Sequence, residues 1–88
     1  MTVDLIEKFI ETKKRKNRHI TIHFKQRDTL TGIFIRTNDY SELKGKNFWR
    51  VVVSSKMEEW EKTGNPDLAR IFSGTEFTRL SENDENNN

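Results

Sequence analysis

The run LTGIFI, residues 30–35, sets Gly32 inside an otherwise apolar stretch. Glycine in a strand interior forfeits packing and costs backbone entropy. It therefore marks a bulge, a sharp bend, or another backbone passing close by. A second break of this kind falls at Ser73-Gly74, which divides ARIFSGTEFTRL, residues 69–80, into two short strands. The rest of the β-patterned sequence is equally short. RHITIHFKQ, residues 18–26, alternates, with Ile20, Ile22 and Phe24 on one face and His19, Thr21, His23 and Lys25 on the other. After the turn QRDT comes the strand TLTGIFIRT, residues 29–37, and FWRVVVSSK, residues 48–56, is rich in β-branched and aromatic side chains. The stretches between, NDYSELKGKN and MEEWEKTGNPDL, are polar and read as loops, the second with a turn at Gly64, Asn65 and Pro66. Five strands this short close most economically into a small, strongly bent barrel whose corners demand glycine. Gly32 and Gly74 are assigned to those corners.

Ahead of the strands, residues 2–14 predict a helix. Val3, Ile6 and Ile10, with Phe9 beside them and Leu5 widening the stripe, recur at helical spacing. Thr2 is the expected N-cap. Asp4 and Glu7 suit the positive end of the helix dipole, and Lys13, Lys14 and Arg15 the negative end. The fold class is thus mainly β: an N-terminal α-helix followed by a five-stranded antiparallel small barrel over residues 1–80, one domain. The final stretch SENDENNN, residues 81–88, is acidic and asparagine-rich and predicts a disordered tail.

An 88-residue chain with 32% hydrophobic and 34% charged residues has a lean core. Small domains of this kind need a supplement to their stability. With no cysteine in the chain, disulfides and thiolate metal sites are excluded, and self-association is the expected supplement. No stretch approaches the apolar length that spans a bilayer, and the N-terminus lacks a signal-peptide core, so a soluble, cytoplasmic protein is expected.

Charge is unevenly placed. Residues 1–27 carry eight basic and three acidic side chains, whereas residues 28–80 carry eight of each. Most of the excess lies in KKRKNR, where Lys13, Lys14, Arg15, Lys16 and Arg18 form the footprint expected for phosphate contacts. A solvated helix end is the plainer reading of the same run.

FKQRDTLTGIFIRTNDY, from Phe24 to Tyr40, together with RIFSGTEFTRL, resembles the two motif regions of the Sm-like (Lsm) family, with Gly32 in the motif's glycine position. The resemblance spans roughly residues 2–80. It implies an SH3-type barrel and a homo-oligomeric ring of six or seven subunits. In such a ring the fourth strand of each copy joins the fifth strand of its neighbour, which removes exposed edges. The implied function is binding of single-stranded RNA. Three departures stand out: a longer loop after Tyr40, a motif asparagine that corresponds to Asn47, and Ser73 where the family carries an arginine that helps hold a uridine base. Serine cannot replace that planar, charged donor.

Two further residues join the basic run as candidate RNA contacts. Tyr40 is placed to stack on a base or to pin its loop, and Asn47 to bond a base edge or to cap the strand. By its place in the motif, Asp39 is expected to orient that loop. His19 and His23 lie about 13 Å apart along a strand, too far to share one metal ion. No metal, cofactor or small-molecule substrate is expected. Without a Cys–His pair or a glycine-rich phosphate loop, neither is catalysis. The alternative to RNA binding is an oligomeric small-barrel scaffold, a protein-interaction module that does not bind RNA.

Overall fold

A computed structural model describes residues 1–11 and 19–82. Helix α1 (Val3–Ile10) starts as its sequence predicts. The Thr2 hydroxyl accepts a hydrogen bond from the Leu5 amide at 3.3 Å, and Ile6 is fully buried. The helix ends at Ile10, four residues short of the expected boundary. Leu5, expected to widen the apolar stripe, is instead exposed.

Five strands follow: β1 (Ile20–Phe24), β2 (Leu30–Ile35), β3 (Phe48–Val53), β4 (Arg70–Ser73) and β5 (Phe77–Glu82). They form one antiparallel sheet in the order β4-β3-β2-β1-β5. The meander holds through β4. A single tight turn, Gly74–Glu76, then redirects the chain so that β5 pairs with β1 at the far edge. No ladder joins β4 to β5 among the described residues, so the sheet is not closed. β5 also runs two residues into the stretch expected to be disordered: Ser81 pairs with Thr21 and Glu82 with Ile20. Alternation continues past Leu80 and β1 offers a free edge, so the strand extends. The remainder of the tail, residues 83–88, lies outside the described residues.

The two segments read as loops each hold a short helix. α2 (Tyr40–Gly45) buries no side chain, and α3 (Met57–Thr63) buries only Met57. Helices this polar leave no apolar periodicity to detect. α3 ends in Gly64, which adopts the left-handed conformation (φ 64°) suited to a helix C-terminus.

The sheet carries apolar side chains on both faces. On one, Ile20, Ile22, Trp49, Val51, Phe72, Phe77 and Leu80 gather under Ile6 of α1. On the other, Ile33, Ile35 and Val52 meet Met57, with Trp60 packed alongside. Phe48 and Trp49 fall on opposite faces as alternation requires, and Trp49 is buried while Phe48 is exposed. Gly32 pairs with Ile20 on one side and Val53 on the other. A Cβ there would run into the Val52 carbonyl oxygen. Of the three possible reasons for glycine, close approach of a neighbouring backbone is the one realised.

Candidate functional site

The N-terminus and the turn before β5 converge where α2 meets β3. Asn47 holds a positive φ of 62°, a conformation asparagine tolerates better than most residues. From there it ties four segments together. Its Nδ2 donates to the Met1 carbonyl at 3.0 Å, and its Oδ1 accepts from the Trp49 indole at 2.7 Å. Its backbone carbonyl accepts from the Gly74 amide at 2.8 Å, and its own amide donates to Lys44 at 2.9 Å. The Met1 nitrogen completes the knot with bonds of 2.9 Å to the carbonyls of Gly74 and Phe77. Gly74 is buried at the centre. A Cβ there would lie 2.6 Å from the Ile6 δ-methyl and 2.8 Å from Asn47 Cγ. Asn47 and the Ser73-Gly74 turn, both named from sequence, are therefore brought together. With its amide engaged at both ends, Asn47 holds loops in place rather than presenting a base-reading edge.

Tyr40 lies at the start of α2. Its ring meets Trp49 edge-on at 6.1 Å, with the Arg36 guanidinium 4.8 Å and the Lys44 ammonium 5.6 Å from the ring centre. Lys44 in turn bonds Glu7 at 2.5 Å and Arg36 bonds Glu11 at 3.2 Å, so α1 is laced to both neighbours of the tyrosine. Burial pushes the Tyr40 hydroxyl pKa up. Packing and two adjacent cations make Tyr40 a loop anchor. It also lines a pocket of about 170 Å³ with Ile10, Ile20, Ile33 and Phe34.

Asp39 orients the loop, as expected. It accepts from the Arg50 guanidinium at 2.7 and 3.3 Å and from the Thr37 hydroxyl. Those hydrogen bonds, Arg50's first, hold its carboxyl at a pKa of about 2. Arg50 is raised by the same pairing.

The five basic candidates, Lys13, Lys14, Arg15, Lys16 and Arg18, lie outside the described residues. His23 bonds Ser81 and Arg79, each at 3.2 Å. No group of three or more potential metal ligands occurs among the described residues.

A site that sequence reasoning missed opens at the unclosed side of the sheet. Phe24 at the end of β1 and Phe72 on β4 have ring centres 5.8 Å apart. The Arg27 guanidinium lies over both, at 5.1 and 5.7 Å, and Arg70 stands 5.2 Å from Phe72. With Gln26, Ser73 and Glu76 these residues line a pocket of about 270 Å³. The only local signal was an aromatic and an arginine three residues apart. Phe72 and Glu76 join them through tertiary structure alone.

No protein family, no curated protein and no solved structure matches this chain. Among the described residues, no helix is long and apolar enough to cross a membrane.

Proposed function

We propose that this chain is an Sm-like small-barrel protein that assembles into a homomeric ring and binds single-stranded RNA without covalent chemistry. The observation that carries the reading is the strand order, which leaves β4 and β5 as the two open edges of one antiparallel sheet. Each carries a row of unpaired backbone groups, and pairing β4 of one copy with β5 of the next satisfies both rows. Beside β4 lie the exposed apolar side chains Phe48 and Ile71, 37% and 48% accessible, on the same face as Ile33, Ile35 and Val52 but beyond the part that α3 covers. Such a patch next to an open edge favours a partner strand. The basic run at residues 13–18, repeated around a ring, supplies an annular positive field for phosphates. A cytoplasmic location suits an RNA ligand.

A second reading has its own support. Ser73 stands in place of the family's arginine and Asn47 is engaged internally, so the family's uridine pocket is not available in its usual form. An oligomeric scaffold without RNA binding fits these two facts.

Light scattering of the full chain at moderate salt gives a mass of six or seven subunits if the ring reading holds, and a monomeric mass rejects it. Titration with labelled oligo(U) and oligo(A) at two salt concentrations separates the two readings. RNA binding that weakens steeply with salt supports the first. An oligomer that ignores RNA supports the second. Replacing Lys13, Lys14 and Arg15 together by alanine weakens binding evenly across sequences in the RNA-binding case.

A further inference from the structure

Among the pockets of the described surface, the one at the unclosed side of the sheet brings aromatic rings together with an arginine and an unpaired carboxylate. The pocket beside Tyr40 joins aliphatic side chains to Arg36 and to the Tyr40 hydroxyl, which is buried without a hydrogen-bond partner among the described residues. The hollow lined by Thr37, Asp39, Arg50 and Asp67 contains an ion pair already satisfied at 2.7 Å. At the unclosed side of the sheet, by contrast, Arg27 and Glu76 line one pocket without bridging each other. The Glu76 carboxylate has no ion-pair partner among the described residues.

We infer that the pocket formed by Phe24, Arg27, Phe72 and Glu76 is a stacking site for a guanine nucleotide. Its base would lie on the outer plane of the Arg27 guanidinium, which itself rests on the two phenyl rings. The charge arrangement excludes a cationic ligand, because two guanidinium groups already occupy the faces that such a ligand would need. Arg27 and Arg70 outweigh Glu76 by one positive charge, which favours a planar neutral ring that brings a phosphate. Arginine planes and aromatic edges stack with any base. The carboxylate discriminates among them. Guanine offers two parallel N–H donors, from N1 and the exocyclic amine, to the two oxygens of Glu76. Adenine and cytosine place a lone pair beside their amino group, which repels a carboxylate, and uracil has a single N–H. Gln26, exposed beside these residues, remains for the sugar, while the Ser73 hydroxyl is already bonded to Thr75.

The inference deepens the RNA-binding reading by naming a base class, and it rests on that reading only in taking the nucleotide to be part of RNA. It can be tested separately. The isotopically labelled full chain is titrated with guanosine, adenosine, uridine and cytidine monophosphates at fixed ionic strength, and backbone amide shifts are followed by NMR. The guanine nucleotide is expected to shift amides at residues 24–27 and 72–76 and to saturate at about tenfold lower concentration than the others. Glu76→Gln should bring it level with adenosine monophosphate. Arg27→Ala should weaken all four alike. Both positions are exposed, and a thermal melt confirms that each variant is folded. Equal binding of the four nucleotides, shifts confined to other residues, or an undiminished guanine preference in Glu76→Gln overturns the inference. Salt-dependent RNA binding with no guanine preference sinks this site and spares the RNA reading. Guanine selectivity in a chain that ignores RNA does the reverse.

Discussion

The Asn47–Gly74 knot and the Phe24–Phe72 pocket lie on either side of the same turn, yet they are built on opposite principles. In the knot, each named polar group has a partner inside the chain: amide, carbonyl, indole and the Met1 nitrogen are joined at 2.7–3.0 Å. In the pocket, two guanidinium groups rest on aromatic rings and a carboxylate goes without an ion pair. Buried polar groups must be satisfied internally, whereas exposed ones can await a ligand. The difference separates a place that holds the fold from a place free to recognise something.

Replacing Asn47 breaks that contrast most severely. Asn47→Ala places a methyl side chain at φ 62° and leaves the indole of buried Trp49 without its acceptor. Together these should cost about 3 kcal/mol in urea unfolding. Asn47→Gly relieves the backbone but not the lost bonds, and should recover about 1 kcal/mol of that. Identical losses in the two variants would show that the left-handed backbone contributes nothing.

Gly74→Ala acts on the same knot by crowding. The added methyl meets the Asn47 side-chain oxygen first and the Ile6 δ-methyl next; the tip of Ile6 can shift, whereas the Asn47 amide is held by Met1 and Trp49. A cost of about 2 kcal/mol is expected, with α1 loosened in hydrogen exchange before the strands. Uniform loosening of the whole chain would argue that α1 and the turn are not coupled through this contact.

How far these regions could be read beforehand differs in the same way. The five strands follow from alternation and β-branched runs, and Gly32 and Gly74 stood out because glycine interrupts apolar sequence. Both were assigned to corners from sequence; in the structure both occupy crowded sites, and at Gly32 the crowding comes from the Val52 carbonyl. α2 and α3 were hidden because helices with one buried side chain or none carry no apolar period. Met57 and Trp60, three residues apart before a helix-ending Gly64, were the faint signal for α3. From sequence, Asn47 was a candidate to bond a base edge or to cap the strand; in the structure its side chain bonds Met1 and Trp49. Its work is internal, and its indole partner two residues ahead was the clue. The Phe24–Phe72 pair spans two distant segments, and no local pattern announces it.

Acid probes the knot's side of the molecule more gently. Asp39, which opens α2, has its pKa lowered from 3.8 to about 2 by Arg50 and Thr37. A carboxyl depressed in the folded state adds stability that is present above its unfolded value and lost as pH falls through its folded one. The contribution should therefore fade between about pH 4 and pH 2. In Arg50→Ala the Asp39 carboxyl carbon, followed by NMR, should titrate higher, part of the way from about 2 back toward 3.8, because the Thr37 bond remains. A titration that stays near 2 would assign the shift to Thr37 and the backbone instead.

The smallest effect on stability belongs to the pocket. Arg27 is exposed, forms no ion pair among the described residues, and covers two rings that are held in place by other contacts as well: Phe24 meets Phe77 edge-on at 5.4 Å, and Phe72 is buried against the main core. Exposed cation–ring contacts contribute about 0.5 kcal/mol, so Arg27→Ala should shift the unfolding midpoint by no more than that. The contrast with Asn47 then becomes sharp: one substitution weakens the fold and the other leaves it intact. A loss of 2 kcal/mol or more in Arg27→Ala would make the guanidinium a structural cover for the unclosed sheet, and the pocket would belong to the fold after all.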